Sequence, residues 1–355
     1  MSATPDAPHE ERVETHMEHV PGSAREPGGV RILHEQEIRD LIGVAEAREA
    51  VREAFARMGR GETMVPPVMI IFVPESEGEV HVKAAHLHGA EHYAVKFASI
   101  FEKNPERGLS PVSGMVLAFS AKTGMLSGLL LDNGFLTDLR TGAAGAVAAD
   151  LLAKETVEQV AIVGAGVQGR FQLEALLGVR SPRRVVICDR TPEAAAAYAA
   201  EMSERHGLPV VVAGIQEAVE GSDLIVCTTP SRTPYLMADW VRPGTHITAM
   251  GSDNPMKNEL DPHLLAKADK LVVDSRDMCA LNGELHHALE AGLLAEDEAY
   301  AELGEVAAGL KPGRASDTEI TVADLTGLGI QDTAVANLVM AKAIAHDVGR
   351  LLASL

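Results

Sequence analysis

An apolar run leads straight into a glycine pattern in the stretch Val160-Ala161-Ile162-Val163-Gly164-Ala165-Gly166-Val167-Gln168-Gly169. In such a GxGxxG pattern, Gly164 forms the tight turn after a strand, Gly166 lets backbone N–H groups approach a pyrophosphate, and Gly169 lets a helix pack closely on the strand. The amino end of that helix, at Val167-Gln168, adds partial positive charge near the anion. The stretch therefore predicts a strand, a turn and a helix that bind a dinucleotide.

An acidic residue follows at the distance that such a site requires. Asp189 stands 20 residues after the last of these glycines, at the end of the apolar run Val185–Cys188. There it is placed to accept hydrogen bonds from both ribose hydroxyls of an adenosine, which favours NAD. Arg190 and Thr191 follow directly and could accommodate a 2′-phosphate, so NADP stays an alternative. Thr228-Thr229, at the end of a later strand, either contacts the cofactor or simply ends that strand.

Short apolar runs recur after residue 157, and helical patterns separate the early ones. Such runs are typical of strands that are buried on both faces: Val160–Val163, Val185–Cys188, Val210–Val212, Leu224–Cys227, His246–Ala249 and Leu271–Val273. Strands that alternate with helices predict a parallel sheet. We therefore place a Rossmann dinucleotide-binding domain at residues 137–330, beginning with a helix of small residues that can approach its neighbours closely.

The region before residue 137 follows a different pattern. Apolar residues recur at helical spacing from Glu35 to about Gly59 and predict one amphipathic helix. Five strand-like segments follow: Val68–Val73, Val80–Ala85, Tyr93–Ser99, Gly114–Ser120 and Leu126–Leu131. A last helix from about Asp332 is expected to return to this region. The prediction is an α/β fold in which residues 30–136 and 331–355 form a smaller α+β domain for substrate binding and dimerisation, and residues 1–29 form a disordered tail.

Charge and composition exclude several classes of function. The chain has 355 residues, with 31 basic and 51 acidic ones, and a formal net charge of −20. Such a surface repels phosphate backbones and anionic lipids, so we expect neither a nucleic-acid nor a membrane partner. No uninterrupted apolar run approaches the roughly 20 residues that a membrane span needs.

Cysteine and histidine usage indicates a reducing compartment and no metal site. Three cysteines, Cys188, Cys227 and Cys279, form no CxxC pair, and an odd number without a disulfide framework favours the cytoplasm. Four histidines between residues 81 and 92 have no carboxylate or cysteine companions, so we expect no metal ion.

Four segments place polar groups between apolar stretches. They are Val80 to Lys83, Ala94 to Phe97, Leu136 to Thr141, and Met250 to Leu260. Specific motifs run from Lys96 to Pro105, from Thr137 to Thr141, from Gly251 to Leu260 and from Thr326 to Asp332. In combination with GAGVQ and a late T-G-x-G-x-Q-D, these motifs resemble the ornithine cyclodeaminase/mu-crystallin family. The resemblance runs from about residue 30 onward. The family includes ornithine cyclodeaminases, archaeal-type alanine dehydrogenases, and ketimine or iminosuccinate reductases, and it is generally dimeric.

The resemblance implies roles for the matching residues. Arg140 would grip a substrate carboxylate, Lys96 would contact that carboxylate or relay a proton near Cα, and Asp253 would be the general acid/base at the amine, imine or attacking water. Hydride transfer at Cα needs an anion clamp and a proton acceptor of this kind. Taken singly, Lys96 and Arg140 could be ordinary salt bridges and Asp253 a helix cap. Three further residues match cofactor-contacting positions: Thr141, Ser113 and Lys257.

Two departures from the family pattern bear on the substrate. The run Val65–Phe72 lacks the arginine that family members with an ornithine site usually carry there. Lys83 stands 13 residues before Lys96, about where ornithine cyclodeaminases place a glutamate for the distal ammonium. A lysine there would repel that ammonium and attract an anion, which favours a neutral or acidic amino or imino acid. Alternatively, Lys83 simply reaches solvent from its strand.

The sequence thus predicts an NAD(P)-dependent oxidoreductase that interconverts a small α-amino acid and its imine or keto acid. One alternative is a deaminating cyclase that recycles its NAD, with a stretch from Leu131 to Thr137 that resembles ectoine-breakdown homologues. Another is a mu-crystallin-like protein that binds NADP and small ligands. An otherwise unprotected edge in the first sheet indicates pairing with a second subunit, so we expect a homodimer.

Overall fold

The computed structural model describes residues 29–353. The predicted tail lies outside these residues, except that Gly29 already belongs to the first strand. Sixteen strands are formed within this part of the chain: β1 Gly29–His34, β2 Thr63–Met64, β3 Met69–Val73, β4 Gly78–Leu87, β5 His92–Phe101, β6 Val112–Ser120, β7 Leu126–Leu131, β8 Gln159–Val163, β9 Arg184–Cys188, β10 Val210–Val212, β11 Leu224–Cys227, β12 His246–Ala249, β13 Lys270–Val273, β14 Ala301–Glu302, β15 Thr321–Asp324 and β16 Arg350–Ala353.

Eleven α-helices connect these strands: α1 Glu35–Leu41, α2 Val44–Gly59, α3 Phe135–Leu152, α4 Val167–Leu176, α5 Pro192–His206, α6 Ile215–Gly221, α7 Pro262–Lys267, α8 Arg276–Asn282, α9 Glu284–Glu290, α10 Leu303–Ala307 and α11 Gly329–Ala345. Within the described residues, no helix is both long enough and apolar enough to span a bilayer.

The first sheet is mixed. Its strand order is β16-β1-β7-β6-β5-β4-β2, with β3 paired to β4. The five predicted strands of this region are present as β3 to β7, and the hairpin between β6 and β7 is antiparallel. β1 was not predicted, and it joins the sheet parallel to β7. One face of the sheet is covered by α11, whose apolar residues share a core with those of α2 and α3.

The second sheet is parallel throughout, in the order β10-β9-β8-β11-β12-β15-β13-β14. The six predicted strands are all present, which confirms the α/β fold class with a Rossmann-type sheet. The strand order reverses direction beside β8, and in such sheets a ligand binds at the carboxyl ends of the strands at this reversal. The loops that follow β8, β11, β12, β13 and β15 therefore lie along one edge.

Two helix predictions need correction. The single helix predicted from Glu35 to Gly59 is in fact two, because Ile42 (φ −136°, ψ 128°) and Gly43 (φ −105°, ψ 168°) are both extended, and α2 begins after them. The Gly43 N–H donates to the Glu46 carboxylate at 3.2 Å, which satisfies one of the free donors at the start of a helix. The last helix begins at Gly329, three residues earlier than predicted, where the absence of a side chain lets it approach the backbone of Ala84 in β4.

Small residues on α3 bring it close to α4. A Cβ added at Gly142 would lie 2.7 Å from the carbonyl oxygen of Phe171. The buried side chains of α3 contribute both to the core against the mixed sheet and to the core against β8. This helix therefore holds the two sheets together and places Arg140 between them.

Candidate functional site

Of the three glycines in the turn after β8, Gly166 alone has open space where a side chain would begin. Gly164 adopts φ +107°, and a Cβ there would lie 2.6 Å from the Thr228 hydroxyl oxygen. A Cβ at Gly169 would lie 3.3 Å from a methyl carbon of Ile162, in contact with the strand. At Gly166 the same atom would meet nothing within 4 Å. The turn is thus tight at its ends and open in the middle, as the approach of a pyrophosphate requires.

Asp189 fixes the neighbouring loop through two backbone donors. Its carboxylate accepts hydrogen bonds from the N–H groups of Ala165 and Thr191, each at 2.8 Å. Asp189 remains half-buried and Arg190 beside it is exposed. A negative carboxylate stands at this point of the loop, which suits ribose hydroxyls and disfavours a 2′-phosphate.

Other residues predicted to contact the cofactor shape the same edge. The Thr228 hydroxyl donates to the carbonyl at the end of β8 at 3.0 Å. The Gln168 amide donates to Asp138 at 2.7 Å, and the Thr141 carbonyl accepts a hydrogen bond from α4. Val167 is 56% exposed at the first turn of α4. Thr228 and Gln168 thus connect the glycine turn to the end of β11 and to α3.

Two lysines lie side by side in the middle of the mixed sheet. Lys83 on β4 and Lys96 on β5 are direct cross-strand neighbours. They are 7% and 2% exposed, on the face that is covered by helices. The alternative that Lys83 reaches solvent from its strand is therefore wrong. Buried ammonium groups are costly unless they are compensated, so their partners indicate what this place is for.

Asp332, which the sequence analysis quoted only as part of a motif, joins two of the predicted residues. Its Oδ1 accepts hydrogen bonds from Arg140 Nε at 3.0 Å and lies 3.3 Å from Lys96 Nζ. Arg140 also donates to the Gln331 side chain at 2.6 Å. Burial raises the pKa of Asp332, but the Lys96 and Arg140 charges outweigh this and hold it below its usual value.

The two lysines differ in their partners. Burial, followed by the Arg140 charge, lowers the pKa of Lys96 to about 7. The same causes lower the pKa of Lys83. The Lys83 ammonium donates to the carbonyls of Thr326 and Gly327, at 3.2 and 2.8 Å. These hydrogen-bond partners are uncharged, while the Arg140 charge and the carboxylates of Asp253, Asp332 and Asp274 act on Lys83 without direct hydrogen bonds.

A cleft of about 360 Å³ is lined by both Lys83 and Asp253, whereas Lys96 and Arg140 are not among its lining residues. Asp253 forms an ion pair with Lys257 at 2.6 Å. Burial raises the pKa of Asp253, but the Lys257 charge outweighs it and holds the pKa below the usual value. The remaining walls are largely apolar: Pro67, Val68, Ile70, His81, Pro255, Met278, Leu281, Asn282 and Thr326.

The structure does not bring Ser113 to this cleft. Ser113 is exposed near the start of β6. The buried residues of that strand, Val116 and Ala118, are even-numbered, so an odd-numbered residue faces the other side of the sheet. Ser113 therefore lies on the opposite face from Lys96.

Sequence reasoning missed three buried acids around the site. Asp332 and Glu259 each stand inside a quoted motif without an assigned role, while Asp274 stands at the end of β13 with no motif to mark it. Asp274 could have been found from its position in the sequence, because it directly follows the carboxyl end of a parallel strand. His81, considered only as a metal ligand, lies in the wall of the cleft.

One group of side chains has the composition of a metal site. His286, His287 and Glu290 each place one ligand atom within 4.8 Å of the others. The histidines already hydrogen-bond through one ring nitrogen to the carbonyls of Ala280 and Lys257. Glu290 is exposed. This group lies on α9 and does not line the cleft, so we assign no ion to it.

Chemically, the arrangement can hold a carboxylate and move a proton. Lys83 supplies an ammonium and Asp253 a carboxylate to the lining of the cleft, and Arg140 and Lys96 lie beyond Lys83 with Asp332 as their shared partner. Asp253 follows β12, while the glycine turn follows β8, and both loops lie at the carboxyl edge of the parallel sheet. A small carboxylate-bearing ligand in the cleft would thus lie at the same edge as a dinucleotide.

Comparisons with known proteins agree with the fold and show the family of the chain. The profile of the ornithine cyclodeaminase/mu-crystallin family matches residues 30–347. An alanine dehydrogenase of Archaeoglobus fulgidus is 39% identical over 320 residues, which are 90% of this chain and 96% of that protein. The structure of a Thermococcus litoralis Δ1-pyrroline-2-carboxylate reductase in complex with NADH and L-proline superposes with a TM-score of 0.86 at 34% identity, covering 90% of this chain and 99% of the other. An archaeal alanine dehydrogenase dimer with bound NAD superposes equally well (TM-score 0.86, 37% identity, 92% and 99% covered).

Proposed function

The chain belongs to the ornithine cyclodeaminase/mu-crystallin family, and from that premise we propose that it is an NAD(H)-dependent oxidoreductase that interconverts a small α-amino acid with its imine or keto acid. One observation carries the proposal. Lys83 and Asp253 line one cleft, at the same sheet edge as the glycine turn. Buried Lys96, the cross-strand neighbour of Lys83, and Arg140 share Asp332 and lie outside the lining of that cleft. Similar structures hold NAD or NADH, which supports the same cofactor here.

The residues of the glycine turn fit a dinucleotide. The open surface at Gly166 leaves room for a pyrophosphate, and Asp189 is placed for the adenosine ribose. A dinucleotide held by these residues would supply the hydride chemistry, as acceptor of the Cα hydride in oxidation and as donor of a hydride to the imine carbon in reduction. The protein's own contribution is to hold the substrate and to manage the proton on nitrogen.

The positive side of the cleft orients the substrate by its carboxylate. Lys83 faces the cleft, and Arg140 and Lys96 lie behind it with Asp332 between them. On oxidation the Cα–H bond breaks as hydride leaves and a C=N bond forms, while an N–H proton passes to the Asp253 carboxylate. In the reverse direction Asp253 returns this proton to nitrogen.

Lys83 also selects the class of substrate. A distal ammonium, as in ornithine, would be repelled by a buried lysine whose hydrogen-bond partners are neutral carbonyls. The walls near it are mainly apolar and the cleft is small. These features favour a compact amino or imino acid with a neutral or acidic side chain over a deaminating cyclisation.

We further propose a homodimer formed through the outer face of the mixed sheet, and a cytoplasmic location. The outer face is apolar and exposed or half-buried in the single chain, with neighbouring side chains on four strands: Met69, Ile71, Val82, Phe97, Met115, Leu117 and Phe119. An exposed apolar surface of this kind is typical of an interface. The free thiols of Cys188, Cys227 and Cys279 are buried, as suits a reducing compartment.

The first experiment tests turnover with the full chain. We expect net oxidation of NADH, followed by its absorbance, with at least one compact imine: Δ1-pyrroline-2-carboxylate, iminosuccinate, or the imine from pyruvate and ammonia. Ornithine should give no ammonia. Release of ammonia from ornithine without net change in NADH would establish the cyclase instead, and no turnover with either NADH or NADPH would contradict the proposal.

Asp253 provides the second experiment. Asp253→Asn removes the proton acceptor, so kcat is expected to fall by about 10²- to 10⁴-fold while NADH binding, followed by fluorescence, stays unchanged. Asp261→Asn is the matched control, because Asp261 caps α7 and its substitute still accepts the His263 N–H. Unchanged turnover in Asp253→Asn would show that another group carries the proton.

A further inference from the structure

Two buried carboxylates lie at the edge of the parallel sheet. They accept hydrogen bonds from the loops of the site and do not line its cleft. Glu259 and Asp274 are both 0% exposed, and neither is among the residues that line the cleft. Each accepts hydrogen bonds from a different pair of strand-end loops. A buried carboxylate is costly unless donors surround it, so the identity of these donors shows what each acid holds in place.

Glu259 joins the loops that follow β11 and β12. Its Oε1 accepts from the Thr229 N–H at 2.6 Å, the Thr229 hydroxyl at 2.7 Å and the Tyr235 hydroxyl at 2.7 Å. Its Oε2 accepts from the Gly251 N–H at 2.8 Å. Gly251 is two residues before Asp253, and Thr229 follows Thr228 beside the glycine turn. One carboxylate thus sets the spacing between the cofactor edge and the proton acceptor.

Asp274 holds the turn that receives Lys83. Its Oδ2 accepts from the Gly327 N–H at 2.6 Å, and its Oδ1 from the Thr326 hydroxyl at 3.1 Å. The carbonyls of the same two residues accept the Lys83 ammonium. Cys279 adds a thiol contact at 3.3 Å to Oδ1. Asp274 therefore fixes the backbone oxygens that hold the ammonium at the cleft.

We propose that Glu259 and Asp274 are positioning residues that act on separate halves of the site. Glu259 places the loops around the dinucleotide and Asp253, while Asp274 places Lys83 for the substrate carboxylate. The assignment to cofactor and substrate rests on the proposed function.

The chemistry of the donors requires a carboxylate at Glu259. All four partners are N–H or O–H donors, and an ionised carboxylate offers acceptors only. Glutamine has the same shape but places an NH₂ group against one of these donors. The substitution Glu259→Gln should therefore separate the loops without creating a cavity.

A purely structural role is the rival explanation, and Asp223 supplies the matched control. Asp223 is also buried, at 5% exposure, but it lies at the opposite edge of the same sheet. It accepts hydrogen bonds from the Glu158 N–H and the Lys154 ammonium, each at 2.8 Å. Asp223→Asn should lower the melting temperature without changing either binding constant.

The test compares three variants of the full chain: Glu259→Gln, Asp274→Asn and Asp223→Asn. For Glu259→Gln we expect the Kd for NADH to rise roughly tenfold, as fits the loss of a buried hydrogen bond to a charged group, and kcat to fall with it. For Asp274→Asn we expect the KM for the imine to rise roughly tenfold while the Kd for NADH stays unchanged. Equal effects of both variants on both constants would overturn the proposal.

A milder variant keeps the test valid if Glu259→Gln does not fold. Tyr235→Phe removes one donor to Glu259 and keeps the ring. Like Glu259→Gln, it should raise the Kd for NADH, but by a smaller factor. A lower melting temperature with an unchanged Kd would show that Glu259 stabilises the fold only.

A double-mutant cycle tests whether Asp274 acts through Lys83. If it does, the KM of Asp274→Asn combined with Lys83→Met should equal that of Lys83→Met alone. Additive effects would contradict this route. Failure of the proposed function is distinguishable, because the wild-type protein would then turn over no imine, whereas the NADH measurements on Glu259→Gln need no turnover.

Discussion

The two sheets contribute to the site in different ways. In the mixed sheet, the functional groups are the side chains of Lys83 and Lys96, which stand in the middle of β4 and β5. In the parallel sheet, the strand interiors are buried and mainly apolar. Its contribution comes from backbone and loops at the strand ends, such as Gly166 and the loop of Asp253.

This difference predicts at which positions a substitution should change function and leave the fold intact. A buried ammonium in the middle of a strand costs stability and is kept for what it binds. A buried charge at a strand end is usually paired with backbone groups, and Lys270 at the start of β13 is an example, with the Gly313 carbonyl at 2.5 Å and Glu319 at 3.1 Å. Lysines of equal burial should therefore give opposite results.

The largest expected effect comes from Lys96→Met compared with Lys270→Met. We expect kcat/KM of Lys96→Met to fall at least about a hundredfold, since a charge-assisted contact is worth roughly 3 kcal/mol. Its melting temperature should be equal to or above that of the wild type, because the cost of burying the ammonium is removed and Asp332 keeps Arg140 as a partner.

Lys270→Met is the control in this pair. It leaves Glu319 and the Gly313 carbonyl without their partner, so we expect unfolding free energy to fall by about 1–3 kcal/mol with kcat/KM unchanged. Thermal melts and steady-state rates on the same preparations give both quantities. If both lysines altered stability and neither altered catalysis, the distinction between the two sheets would be wrong.

A smaller effect is expected from the glycine turn, where Gly166→Ala is compared with Gly169→Ala. A Cβ at Gly166 meets no atom within 4 Å, and its φ is −78°. The fold should therefore accept alanine, while the methyl group obstructs the pyrophosphate and raises the Kd for NADH by roughly tenfold. A Cβ at Gly169 would contact β8 and the Gly164 carbonyl, so Gly169→Ala should lower the melting temperature.

Fluorescence titration with NADH and thermal unfolding distinguish these two glycines. Loss of stability without weaker NADH binding in Gly166→Ala would mean that the turn serves packing alone.

The sequence predicted most of the parallel sheet because its signal is local. Six short apolar runs fell on β8 to β13, and five of these strands are buried along most of their length, as continuous apolar runs predict. β10 differs, because it is an edge strand with Val211 and Val212 exposed. β14 was not predicted, because a strand of two residues is too short to show a pattern. β15 was not predicted either. β1 and β16 pair with each other across the whole chain, and such partners have no local signature.

The site was predictable where a residue type is unusual in its segment. Lys83 and Lys96 interrupt apolar strands, and Arg140 interrupts an apolar helix, so each was found. Asp332 was not, because its function lies in a contact with residues 192 and 236 positions away, which spacing along the chain cannot indicate. For Ser113 the reason is the opposite one. A motif identifies the residue, but which face of the sheet its side chain lies on depends on the strand register, which the motif does not contain.

The pH dependence of turnover tests the charge that the mixed sheet buries. Burial and the Arg140 charge lower the pKa of Lys96 to about 7. Below that pH Lys96 is protonated and can hold a carboxylate, and above it the charge is lost. We therefore expect kcat/KM to fall severalfold between pH 7 and pH 8, approaching about tenfold per unit above that. An activity that rises over this range would show that Lys96 acts as a proton acceptor instead.

Stability should change in the opposite direction, which separates titration of Lys96 from unfolding. The folded-state pKa of about 7 lies below the usual lysine pKa of 10.5, so between these two values the unfolded chain binds the proton and the folded chain does not. Stability from this group therefore rises with pH across that window. Thermal unfolding of the wild type and of Lys96→Met, measured from pH 7 to pH 9, tests this. The unfolding free energy of the wild type should rise more steeply with pH than that of Lys96→Met. A wild-type slope no steeper than that of Lys96→Met would mean that Lys96 keeps its proton in the fold.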